Sequence, residues 1–124
     1  MSVEGTDVPR DLGWVNDIDD KRVSVFSPDR RHDGLLRKLR GGKSWLWTFW
    51  AWPWKLWDLP FKSDQQLAEI LIALRDAGYP FLGEEHGWPP TVIFEDLRDK
   101  GLVSGPFREI TWLGPGRPIL IDHP

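Results

Sequence analysis

Apolar residues recur at helical spacing in three stretches of the chain, alternate with polar ones in another, and gather in two strand-like arms near its end. Leu67, Ile70, Leu71 and Leu74 fall at i, i+3, i+4 and i+7, which puts them on one stripe of a helix. Ser63 and Gln66 ahead of that run have capping-box spacing, and Gly78 follows it. A second helix is predicted after Pro89 and Pro90, whose fixed φ suits first-turn positions; Ile93, Phe94 and Leu97 face inward and Gly101 ends it. The β-branched run at residues 91–94 is also compatible with a strand. A shorter basic helix over residues 33–40 sets Leu35, Leu36 and Leu39 against Arg37, Lys38 and Arg40, and Gly41 and Gly42 stop it.

Strand periodicity is clearest at Arg22–Phe26, where Val23 and Val25 alternate with polar neighbours and Ser27, Pro28 and Asp29 supply a turn. Two further strand-like arms, residues 108–113 and 117–121, flank Gly114, Pro115 and Gly116, so a terminal hairpin is expected. Residues 1–20 show no helical period, and the first ten are expected to be loose. Between residues 43 and 57 two periods compete, and Pro53 rules out a single element. The preferred reading is an extended segment over residues 45–50, a break at Pro53 and a turn toward Pro60.

These elements make one α+β domain over residues 1–124: a small antiparallel sheet, two principal helices and a C-terminal β-hairpin. Helix, helix and ribbon across residues 61–124 resemble the second half of a winged helix. Residues 67–77 match its first helix, Gly83, Glu84 and Glu85 its turn, residues 93–102 its reading helix and the ribbon its wing. The resemblance implies DNA binding through residues 90–100. That helix, however, carries Glu95, Asp96 and Asp99 against Arg98 and Lys100, a poor surface to set against phosphates.

Composition narrows the chemistry. With no cysteine in 124 residues, disulfide frameworks, thiolate zinc sites and cysteine nucleophiles are excluded. No basic and apolar leader is visible, so a cytoplasmic location is expected, and the most apolar run, residues 45–54, is too short to span a bilayer. Gly42, Lys43 and Ser44 mimic the end of a P-loop, but Arg37 stands where that motif needs glycine to wrap phosphate. Asp17, Asp19 and Asp20 lack the glycine and final glutamate of a calcium loop. Glu84, Glu85 and His86 are adjacent in sequence and do not converge without outside ligands, while His32 and His123 have no partner nearby along the chain. No catalytic residue, metal or cofactor is therefore expected.

Charge and tryptophan point elsewhere. The net charge of −3 conceals opposite blocks: eight Lys/Arg with two Asp in residues 21–43, and eight acids with three bases in residues 64–104. Such blocks either neutralise each other in the fold or make a charged recognition face. Nine tryptophans exceed what a core this size absorbs, so part of the cluster at residues 45–57 is expected at the surface, with Trp54 and Trp57 as anchors. A small, acidic, cysteine-free, Trp-rich chain without a catalytic cluster looks like the immunity proteins with which bacteria neutralise their own toxins. That resemblance implies a cytoplasmic inhibitor whose acidic groups stand in for the phosphates that a basic nuclease expects. The partner-binding residues are accordingly Trp54, Trp57, Glu84, Glu85, Glu95, Asp96 and Asp99. The alternatives are a winged-helix-like nucleic-acid binder and a peripheral membrane protein using its tryptophans.

Overall fold

The computed structural model describes residues 5–7, 12–27, 33–39, 56–83, 89–112 and 118–124. Along the chain these form β1 (Gly5–Asp7), β2 (Trp14–Ile18), β3 (Arg22–Phe26), α1 (Asp33–Leu39), β4 (Leu56–Pro60), α2 (Asp64–Asp76), β5 (Phe81–Leu82), α3 (Pro90–Asp99), β6 (Phe107–Trp112) and β7 (Pro118–His123). The α+β class, the two principal helices and the C-terminal hairpin are as expected. The expected extended segment over residues 45–50 and the break at Pro53 lie outside the described residues.

Asp19 shapes the turn that pairs β2 with β3. Its Oδ1 accepts the backbone N–H groups of Lys21 at 2.7 Å and Arg22 at 2.8 Å. Burial raises its pKa, but those two hydrogen bonds and the Arg22 charge outweigh it and hold the carboxyl below its ordinary value. β2 has no visible period because its register shifts between Val15 and Asp17. That bulge lets Val15 and Ile18, an odd number of residues apart, both face the core. On the other edge of β3 runs β4, with Trp57 opposite Val25 and Leu59 opposite Val23. The turn toward Pro60 is thus an edge strand, and Trp57 is only 3% exposed.

Ser63 caps α2, its Oγ accepting the Gln66 N–H at 3.2 Å, while Gln66 Oε1 accepts the Lys62 N–H at 2.7 Å. Leu67, Ile70, Leu71 and Leu74 are all buried, as their spacing requires. Gly78, at φ +100°, lets the chain reverse, and the Tyr79 N–H reaches back to the Leu74 carbonyl. Pro90 opens α3 and Phe94 and Leu97 bury its inner face.

Among the described residues the strand order β1-β7-β6-β5-β2-β3-β4 makes one seven-stranded sheet. It is mixed rather than purely antiparallel, because the two-residue β5 pairs in parallel with both β2 and β6. α3 is the crossover between the parallel strands β5 and β6. The ribbon β6–β7 is not a free wing: β5 flanks it on one side and β1 on the other. Gly5–Asp7, within the stretch expected to be loose, form that edge strand, with Gly5 opposite Ile121. The helices cover one sheet face, where Phe81, Phe94 and Phe107 pack ring against ring at 4.7–5.9 Å. On the opposite face Leu82, Ile110 and Leu120 are buried beneath Trp14 and Trp112, whose rings meet edge-on at 5.7 Å.

Candidate functional site

The outer surface of α2 and α3 gathers the acidic residues. Helical spacing puts Val92, Glu95, Asp96 and Asp99 at i, i+3, i+4 and i+7, and all four are exposed. Asp64, Glu69 and Asp76 are exposed on the neighbouring α2. Six carboxylates therefore face outward from these two helices against three cations, Arg75, Arg98 and Lys100.

Each of those cations is engaged. Lys100 Nζ bridges the helices, 3.2 Å from Asp64 Oδ2 and 3.1 Å from Asp96 Oδ2. Hydrogen bonds to Asp96 and then Asp64 raise its pKa above the ordinary lysine value. Arg98 donates to the Gly105 carbonyl at 2.6 Å and to Glu95 at 3.0 Å, with its guanidinium 5.6 Å from the Phe94 ring centre and 5.5 Å from that of Phe107. Arg75 holds Asp76 at 3.1 Å and donates to the Ser104 carbonyl. Among the described residues Glu69 and Asp99 have no ion-pair partner. No ion pair among the described residues joins these helices to the basic block of residues 21–43.

Of the residues expected at a partner surface, the structure brings Glu95, Asp96 and Asp99 together on one exposed face. Trp57 is corrected from a surface anchor to a core residue, because pairing with β3 turns its indole under the helices. Trp54, Glu84 and Glu85 lie outside the described residues. Sequence reasoning missed Val92, 41% exposed and the one large hydrophobic residue standing out among those described. Its signal was available: it lies off the inward stripe of Phe94 and Leu97.

A separate open cleft of about 690 Å³ lies where α2 ends and β6 begins, lined by Arg75, Asp76, Tyr79, Phe107, Arg108 and His123 among others. His123 Nε2 lies 2.7 Å from Glu109 Oε1, and its ring stacks on Phe107 at 4.6 Å. Sequence spacing hid this pair, which the hairpin register makes across strands. Glu109 lies flat across Gly83, where a Cβ would fall 1.9 Å from its Oε2. The Tyr79 hydroxyl is turned inward, 2.7 Å from Ser27 Oγ. The cleft thus offers an oriented imidazole, with the nearby phenol engaged in a buried hydrogen bond.

Among the described residues no three His, Asp or Glu side chains come together as metal ligands, and no helix is long and apolar enough to cross a membrane. Set against known protein families, curated proteins and solved structures, the chain matches none.

Proposed function

We propose that this protein is a non-enzymatic binding module that captures a basic protein, in the manner of an immunity-type inhibitor that neutralises a toxin in the cytoplasm. The observation that supports it is the outer surface of α2 and α3, where six exposed carboxylates stand against three cations already engaged. Such a surface speeds the approach of a positively charged partner, and Val92 supplies an apolar contact within it. The same surface disfavours the nucleic-acid alternative, since α3 turns Glu95, Asp96 and Asp99 outward where a reading helix meets phosphate.

The test immobilises the wild-type chain and a Glu69→Gln, Asp96→Asn, Asp99→Asn variant and washes extract of the native cell over both across a salt gradient. The expected result is a basic protein held by the wild type, released by salt and lost from the variant. Its toxicity on expression is relieved by the wild type and not by the variant. Equal retention by both chains, or no such protein, overturns the reading. Duplex DNA is expected to bind no more tightly than about 10⁻⁴ M at physiological salt; sequence-selective nanomolar binding would replace the proposal with the winged-helix alternative.

A further inference from the structure

α1 presents a second exposed stripe, opposite in sign to that of α3. Gly34, Arg37 and Lys38 fall at i, i+3 and i+4 and all are exposed. On α3 the exposed Val92, Glu95 and Asp96 have the same spacing. Laid side by side in parallel, with Val92 opposite Gly34, the two helices rise together at 1.5 Å per residue and present their i+3 and i+4 positions on opposite sides of the seam, which brings Glu95 beside Lys38 and Asp96 beside Arg37. Gly34 makes room for this: a Cβ built there meets nothing within 4 Å, so Val92 can approach the helix backbone at a position without a side chain. Neither Arg37 nor Lys38 has an ion-pair partner among the described residues.

Within one chain α1 packs at the β4 edge of the sheet and α3 over β2 and β5. We propose that the α3 stripe of one molecule docks on the α1 stripe of a second copy. The complementarity of size and charge at matched spacing selects that occupant. Because the two surfaces differ, the contact is head-to-tail, and each molecule keeps one stripe free for the next. It shares α3 with the proposed toxin surface, so self-association and capture of a basic partner compete. The assay contains no partner, and either reading fails without the other.

Sedimentation of the pure protein tests it at about 0.5 mM and low salt, where the Debye length is about 30 Å, and again at 1 M salt, where it is about 3 Å. Wild type is expected to reach about twice the monomer mass or more in the first condition and to be monomeric in the second. Arg37→Glu with Lys38→Glu makes both stripes acidic, and Glu95→Lys with Asp96→Lys makes both basic. Each variant alone is expected to be monomeric, and their equimolar mixture to associate, which also shows that both are folded. Gly34→Leu sets a side chain where Val92 would approach without changing charge, and is expected to abolish association while the thermal melt is retained. A wild type monomeric at low salt, a mixture that stays monomeric, or a Gly34→Leu chain that associates like wild type overturns the proposal.

Discussion

Trp57→Ala separates the two roles a tryptophan can have in this chain. The indole is 3% exposed on edge strand β4, opposite Val25 and within the cluster that includes Leu36, Leu59 and Leu71. Truncating a buried aromatic removes its transfer free energy and leaves a cavity, together about 3–5 kcal/mol. An edge strand relaxes more easily than a central one, so the expected loss is about 3 kcal/mol, at the lower end. A domain of 124 residues unfolds with an entropy of about 0.26 kcal/mol/K, so the melting temperature should fall by about 12 °C. Urea and thermal melts measure this directly, and association kinetics with a partner, corrected to the folded fraction, should be unchanged. A loss below about 1 kcal/mol, with faster dissociation from a partner, would refute the core assignment.

Asp19→Asn should matter at neutral pH and not in acid. A carboxyl whose folded pKa lies below its unfolded value contributes stability above the unfolded pKa and loses it as pH falls through the folded one. After screening at this exposed turn the difference is about 0.5 kcal/mol, read as a urea-midpoint gap between wild type and variant at pH 7 that closes by pH 2. Gly83→Ala should force Glu109 off β5 and break its contact with His123, costing about 1 kcal/mol and shifting the His123 ring signals in NMR spectra. Unshifted signals would show that Glu109 yields without losing its partner. Lys100 has a raised pKa, so its bridge persists below the unfolded value and is lost as pH rises through the folded one. Its Nζ titration should lie above that of free lysine and return to it in Asp64→Asn with Asp96→Asn.

The elements legible in the sequence are those whose pattern is local. α2 and α3 carry their apolar stripes and their stops within a dozen residues, β3 shows alternation, and Gly114, Pro115 and Gly116 punctuate the C-terminal ribbon. β2 was hidden because its bulge breaks the period of two, and β5 because two residues hold no period at all. Both strands are specified by partners far along the chain: Val15 pairs with Phe81, and Phe81 with Glu109. At the candidate site, Glu95, Asp96 and Asp99 were legible because helical spacing alone puts them together. Trp57 was misjudged because burial on an edge strand depends on β3 lying alongside, which the Pro-flanked sequence of β4 does not announce.

The strand order also governs how the chain reaches its folded state. β1 pairs with β7, more than a hundred residues later, and β5 needs both β2 and β6 beside it. Such non-local pairings close large loops before any contact rewards them, which places this domain among slow folders for its size. During synthesis β5 and β6 emerge long after β2–β3, so the nascent sheet exposes an unpaired β2 edge until then. Until β5 arrives, that edge presents unpaired N–H and C=O groups that another chain can pair with, a hazard the finished sheet does not carry at β2.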